Sequence, residues 1–198
     1  MRALGLVVVY LIGAIPVGFL VARATGGGDI RGKGSGNIGA TNVLRTLGPV
    51  PAVLTLVLDV AKGYVAVRAA EVIGPDPAWG AAGALVAIVG NCWPVYLRFK
   101  GGKGVATALG AYLALTPVAI VPAAVVWVVL TAIFRYVSLA SMLASVGLAV
   151  GAWILGYPPV CVVSAACAAA LIIGRHHENV KRLFSGREHR LGERASAA

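Results

Sequence analysis

The chain has 198 residues, 59% of them hydrophobic and only 12% charged, with a formal net charge of +10 and a mean hydropathy of +0.88. A soluble domain is about half apolar and about a quarter charged, so this composition places most of the chain in lipid. The positive charges fall between apolar segments and few aromatics are available to stack bases, which excludes nucleic-acid binding.

The first apolar run, Leu4–Ala22, is long enough for a crossing of about 20 residues. It is too long for a signal-peptide core, and no small-residue cleavage site precedes the glycine-rich stretch after it, so it reads as a retained span. The loop 23–49 contains RGKGSGNIGATNVLRTLG, Arg31–Gly48. Its Gly34-x-Gly36-x-x-Gly39 spells a dinucleotide fingerprint, which requires a preceding strand within a βαβ unit. The preceding element here is a membrane span, where an open sheet cannot satisfy its backbone. What survives is the local physics. Glycines let backbone N–H groups converge on an anion, and a helix start adds positive partial charge. Ser35, Asn37, Thr41 and Asn42 add short polar side chains, and Lys33 and Arg45 add charge.

The second span, Val50–Ala70, carries Asp59 and Lys62 three residues apart on one helical face. A lone charge at mid-bilayer costs about 3 kcal/mol, so the two are expected to pair and to orient this helix. A short turn, Gly74–Pro77, leads to the third span, Trp79–Leu97. The loop 98–104 holds FKGGKG, a superficial P-loop. Walker A needs Ser or Thr directly after Gly-Lys, where Gly104 stands, and its glycine spacing differs too. The loop still supplies Lys100 and Lys103. GGKGVATALG echoes SGNIGATNVLRTLG, so both place glycine-rich backbone at a helix start.

Between Lys103 and Pro117 lies a short apolar piece that proline ends, read as a short span. Ala119–Phe134, Val137–Leu155 and Pro158–Ile173 complete the set. The tail 175–198 has helix-like spacing in ENVKRLF and is expected on the membrane surface with a frayed end. It supplies His176, His177 and Asn179. Tyr64, Trp79, Tyr96 and Tyr157 lie near span ends as interfacial anchors. Gly, Ala and Ser spacing along the spans predicts close helix packing. Cys92, Cys161 and Cys167 are odd in number, without a C-x-x-C pair, and read as small packing residues.

Fourteen of the 17 Lys and Arg residues fall on one side if seven spans cross: Arg23, Arg31, Lys33, Arg45, Arg98, Lys100, Lys103, Arg135, Arg175, Lys181, Arg182, Arg187, Arg190 and Arg194. The positive-inside rule then puts the two glycine loops and the tail in the cytoplasm. The fold expectation is an all-α polytopic membrane helix bundle in one domain, 1–198, with seven transmembrane helices, the N-terminus outside and the C-terminus cytoplasmic. Three basic cytoplasmic patches of one chemical character point to one anion site. Basic loops that merely meet anionic headgroups would need Lys and Arg only, not this density of Ser, Asn, Thr and Gly.

GSGNIGATNVLRTLG, FKGGKGVATALG, SLASM and HHENVKRL together resemble the bacterial acyl-phosphate:glycerol-3-phosphate acyltransferase family (PlsY). The resemblance covers nearly the whole chain and its span order. It implies a multi-pass enzyme of the bacterial plasma (inner) membrane with a cytoplasmic-side active site. Such an enzyme moves a fatty acyl group from acyl phosphate to glycerol 3-phosphate, giving lysophosphatidic acid, the first acylation of phospholipid synthesis. The resemblance implies acyl phosphate on Ser35, Gly36, Asn37, Ile38, Gly39, Ala40, Thr41 and Asn42. It implies glycerol 3-phosphate near Arg45, Lys103, Ser141, His176 and Asn179. Arginine suits phosphate through paired donors and lysine through a point charge.

The expected catalytic residues are Ser35, Lys103 and His176. Ser35 lacks a Gly-x-Ser-x-Gly elbow and an Asp partner, so it reads as a phosphate ligand rather than a nucleophile. The His-x4-Asp pair of thioester-using acyltransferases is absent: Lys181 and Arg182 stand five residues after His176 and His177, and Arg194 five after His189. The expected step is direct attack without an acyl-enzyme, aided by positioning and charge neutralisation. The hydroxyl proton goes to a substrate phosphate oxygen, or to His176, whose ordinary pKa near 6.5 suits a base. Asn91 stands where the family more usually has histidine; it cannot titrate and is left out of the set.

No Asp/Glu/His cluster has metal-ligand spacing, and neither metal nor cofactor is required. The partners are the two substrates and the bilayer, with the enzyme that makes acyl phosphate a candidate. The rival functions are a small anion or phosphate transporter, which should place polar residues at the midplane on paired broken helices, and a lipid-binding scaffold without turnover.

Overall fold

The computed structural model describes residues 2–193, with the side chains of Arg2 and Ala3 outside the description. Arg194 and the expected frayed end beyond it lie outside the described residues. The described chain forms ten α-helices: α1 Arg2–Ala14, α2 Val17–Ala24, α3 Ala40–Leu47, α4 Pro49–Ile73, α5 Pro77–Cys92, α6 Val105–Leu115, α7 Ile120–Phe134, α8 Val137–Ile154, α9 Pro159–Arg175 and α10 His177–Phe184.

Local chemistry sets many of the boundaries. Prolines open α4, α5 and α9, where a missing N–H costs nothing. Asp76 caps α5, its carboxylate accepting the Ala78 N–H at 2.8 Å. Gly48, at φ +89°, ends α3 and starts α4, so these two helices meet at a corner only glycine tolerates.

Four stretches are long and apolar enough to cross a bilayer: Pro49–Ile73, Pro77–Leu97, Pro117–Phe134 and Val137–Ile154. Two bent pairs, Leu4–Ala14 with Val17–Ala24 and Pro159–Arg175 with His177–Phe184, raise the number to six if each is one span. The first expected span is therefore not continuous. Pro16 lacks an N–H and its ring clashes with the preceding turn, so α1 and α2 meet at 40°. The Ile15 carbonyl at the break accepts the Lys62 ammonium at 2.7 Å, which a break at this depth needs. Lys62 also lies 2.7 Å from Asp59 and donates to Asn91 Oδ1 at 2.9 Å. The expected pair forms, and it also ties α4 to the broken first span and to α5. The short piece before Pro117 is α6, 11 residues. At 1.5 Å per residue it spans about 16 Å, roughly half a hydrocarbon core.

Small residues let the helices approach closely. A methyl on Gly110 of α6 would sit 1.8 Å from the Val60 carbonyl of α4, and one on Gly63 2.1 Å from the Thr107 carbonyl. The α1–α5 contact repeats this, with Gly13 against Ala87 and Gly90 against Tyr10. The main core gathers Val67, Ile88, Tyr112, Leu148 and Ile172 around buried alanines. Within it the Tyr112 hydroxyl meets Ser164 Oγ at 2.8 Å, and Ser164 donates to the Ala81 carbonyl at 2.9 Å. The outward faces of α4, α7 and α8 stay apolar, as lipid contact requires: Val53, Val57, Val125, Ile133 and Trp153 are all exposed.

Candidate substrate cavity between the two glycine loops

The first glycine loop owes its shape to one buried side chain. Asn42 accepts the Ser35 N–H at 2.9 Å and donates to the carbonyls of Lys33 and Asn37 at 3.0 and 2.8 Å. Asn37 in turn accepts the Gly39 N–H at 2.8 Å. Gly34 and Gly36 sit at φ +56° and +70°. A Cβ on Gly34 would lie 2.3 Å from Asn42 Oδ1. Asn42 is 2% exposed and its amide is spent inside the loop, so its contribution to a ligand is to order the loop. No described residue hydrogen-bonds the N–H groups of Ala40 and Thr41 at the start of α3, which no side chain caps. They remain free for an anion.

The second loop is held from two sides. Gly102 N–H donates to the Asn91 carbonyl at 2.9 Å, and Arg175 donates to the Gly102 carbonyl at 3.2 Å. Gly104, at φ +82°, turns directly into α6. This leaves Lys103 pointing at Asn179, whose Oδ1 accepts its ammonium. Asn179 donates to Glu188 at 2.6 Å, Ser138 donates to the same oxygen at 2.8 Å, and Arg182 binds the other at 2.8 Å.

His176 sits in the break between α9 and α10 and is 3% exposed. Its Nδ1 lies 2.7 Å from the Ile172 carbonyl, which can only accept. The proton is therefore on Nδ1, and Nε2 is a bare acceptor. Ser141 Oγ donates to the Val137 carbonyl at 2.7 Å and accepts from Trp127 Nε1 at 3.1 Å. Its hydrogen is committed, so it can accept from a ligand hydroxyl rather than donate to a phosphate.

These groups face one cavity of about 730 Å³. Ser35, Asn37, Ile38, Gly39, Ala40, Thr41, Asn42, Arg45, Lys103, Ser141, His176 and Asn179 all line it, and Leu56, Ala123, Val128, Leu148 and Ala165 make an apolar wall. Gly36 departs from expectation: it lines a separate cleft with Arg31, Lys100 and Arg175. The single basic site expected from sequence is thus divided in two by the glycine loops.

Burial sets the titration. It lowers the Lys103 pKa to about 8, helped by Arg182. It lowers His176 to about 4, with Lys103 adding to the effect. The ordinary value near 6.5 expected of His176 does not hold; its imidazole is neutral and weakly basic in this pocket. Burial also lowers Arg45. For Glu188 burial alone would raise the pKa, but hydrogen bonds from Asn179, Arg182 and Ser138 outweigh it and hold the carboxylate ionised.

Sequence reasoning missed Glu188, Arg182 and Trp127. Residues 188–193 of the tail line the cavity. Leu191 N–H donates to the Arg135 carbonyl at 2.7 Å, the Arg135 guanidinium returns to the Leu191 carbonyl at 3.0 Å, and Arg190 donates to the Tyr136 hydroxyl at 3.3 Å. Among the described residues no group of three His, Cys, Asp or Glu side chains is placed to hold a metal ion.

A polytopic helical membrane protein whose cavity joins anion-binding loops to an apolar wall is the class these features define. The glycerol-3-phosphate acyltransferase family model matches residues 3–186. The chain is 46% identical to glycerol-3-phosphate acyltransferase 2 of Moorella thermoacetica, over 98% of this chain and 100% of that protein. It is 45% identical to the glycerol-3-phosphate acyltransferase of Syntrophotalea carbinolica, over 93% and 95%. It is similar to the crystal structure of PlsY, an integral membrane glycerol 3-phosphate acyltransferase, in its glycerol 3-phosphate form. That match has a TM-score of 0.90 and 41% identity, over 96% of both chains. The lysophosphatidic acid form matches at TM-score 0.88 and 40% identity, over 96% of this chain and 95% of that one. The chain belongs to the glycerol-3-phosphate acyltransferase family, and it is a multi-pass membrane protein of the PlsY type.

Proposed function

We propose that this protein transfers a fatty acyl group from acyl phosphate to the 1-hydroxyl of glycerol 3-phosphate, releasing lysophosphatidic acid and inorganic phosphate. The observation that carries this reading is the single cavity in which two sets of anion-binding groups adjoin one apolar wall. Two phosphorylated substrates, one with a lipid tail, need that combination.

The Ser35–Asn42 loop takes the phosphate of the donor, through the Ser35 hydroxyl and the free N–H groups at the start of α3. The acyl chain lies along the alanine-rich wall. Arg45 and Lys103 hold the phosphate of the acceptor, the first by a fork and the second by a point charge. Ser141 and His176 have only lone pairs to offer, so they read the glycerol hydroxyls. The attacking hydroxyl oxygen forms a bond to the acyl carbon, the carbon–oxygen bond to phosphate breaks, and phosphate leaves with the electron pair. The proton passes to a phosphate oxygen, with His176 Nε2 orienting the hydroxyl. Positioning and charge neutralisation supply the acceleration, without an acyl-enzyme or cofactor.

The same reading puts seven crossings in the bacterial inner membrane, with the N-terminus outside and the loops 23–49 and 98–104 and the tail 175–198 cytoplasmic. The short α6, flanked by the Gly101–Gly104 and Pro117 turns, makes the seventh crossing. A soluble enzyme that makes acyl phosphate is then the upstream partner. The transporter reading draws on the broken first span and the Asp59–Lys62 pair beside it. The hydrogen-bonded cluster of Lys103, Asn179, Ser138, Arg182 and Glu188 in the cavity lining favours chemistry.

The test is purified protein in lipid nanodiscs with glycerol 3-phosphate and either palmitoyl phosphate or palmitoyl coenzyme A, following phosphate release and lysophosphatidic acid. Turnover with the acyl phosphate and none with the thioester is expected. No product from either, together with phosphate flux in sealed vesicles, would replace the enzyme by the transporter.

A further inference from the structure

The basic residues of the two glycine loops do not converge on one site. Arg45, Lys103 and His176 face the substrate cavity. Arg31, Lys100 and Arg175 face a second cleft, of about 630 Å³, whose lining shares no residue with that cavity. Arg175 and His176 are neighbours in sequence yet line different clefts.

This second cleft is built rather than incidental. Asp29 grips Arg31 with a fork, at 3.0 Å to Nε and 2.6 Å to Nη2, and the guanidinium rests over the Phe19 ring at 5.2 Å. Arg175 lies over Trp93 at 5.2 Å while donating to the Gly102 carbonyl. Both guanidinium planes are therefore fixed in advance. Lys100 has no carboxylate partner among the described residues. It is presented by Arg98 and Phe99, two consecutive non-glycine residues at positive φ, +53° and +63°. Backbone strain of this kind persists where the surroundings fix a functional arrangement. Three cations against one carboxylate leave the cleft with an uncompensated positive charge. Beside it, Tyr96 and Phe99 are 54% and 58% exposed, as side chains at a bilayer interface are.

We propose that this cleft is a second anion site for a phosphate group, separate from the substrate cavity. Its ligand is either the headgroup of an anionic phospholipid or free phosphate. Lys100 supplies the mobile charge, and the fixed guanidinium groups of Arg31 and Arg175 supply the frame. The site touches both substrate loops through backbone alone: Gly36 adjoins Ser35, and Arg175 holds the carbonyl next to Lys103. A bound phosphate group orders both loops from behind. The inference does not depend on the identity of the acyl donor.

The experiment uses the full-length protein in zwitterionic nanodiscs. One arm titrates phosphatidylglycerol into the discs and counts retained lipid by native mass spectrometry. The other titrates inorganic phosphate and follows its 31P line broadening. Saturable binding of one of the two is expected, weakened about tenfold in Lys100→Gln. Lys181→Gln, which removes the same charge from an exposed side chain that lines neither cleft, should leave binding within about twofold. Saturation in the first arm identifies a lipid headgroup, and in the second a free phosphate. The proposal fails if neither probe saturates, or if the two variants lower binding equally, since that is the behaviour of a diffuse surface charge.

Discussion

At the residue scale, two buried groups set how the cavity responds to pH. Lys103 has its pKa lowered to about 8 by burial, so its ammonium is lost as pH rises through that value. Under the proposed reaction, the KM for glycerol 3-phosphate should climb above pH 8 while kcat changes less. Arg45→Lys tests the neighbouring contact: a point charge replaces a fork, and KM should rise about tenfold. His176 has a folded-state pKa of about 4, below its ordinary value. The unfolded state therefore binds more protons between about pH 6.5 and 4, and stability falls as pH falls through that window. The effect is a few kcal/mol at most. Thermal unfolding in detergent should show this acid loss in the native protein and a flatter profile in His176→Asn. The tautomer fixed by Ile172 was invisible in sequence, because it depends on a carbonyl one turn away in a helix that breaks at that residue.

At the scale of elements, close helix contacts at small residues act beside the Lys62 and Ser164 hydrogen bonds in holding the bundle together. Gly110→Ala would force a methyl to 1.8 Å from the Val60 carbonyl. It should push α6 from α4 and destabilise by about 1–3 kcal/mol or more. Gly147 of α8 offers a matched control, since its added methyl would meet its nearest atom at 3.7 Å. Gly147→Ala should be neutral or stabilising by a few tenths to about 1 kcal/mol. Melting temperatures in one detergent decide both. The small-residue spacing predicted close packing, but not which glycine touches which carbonyl. The break at Pro16 was likewise legible only in part. Proline marks a kink, yet the span persists because Lys62, from another helix, takes up the Ile15 carbonyl.

At the scale of the whole molecule, the tail contributes to the cavity wall. Glu188 joins Ser138, Asn179 and Arg182, which come from two helices. Glu188→Gln keeps the shape and removes the charge. It should leave Arg182 unpaired and lower kcat/KM at least tenfold in the proposed reaction, measured beside a melting curve to separate activity from stability. Topology has its own test. Asp76→Cys should react with an impermeant thiol reagent only from outside the cell, and Ser185→Cys only in inside-out vesicles, if the number of crossings is odd.

The sequence by itself determined the membrane class and the family, and it named the first-loop residues and Arg45, Lys103, Ser141, His176 and Asn179 among those that line the cavity. Those rest on composition, hydrophobic periodicity and short motifs, all of which are local in the chain. It could not determine that the basic loops face two clefts, that Gly36 lines a different one from Ser35, or that Glu188 returns from the tail to anchor Asn179. Each of these depends on which side of a backbone a side chain leaves and on contacts between segments tens of residues apart. The tertiary structure decided them, because only packing fixes direction.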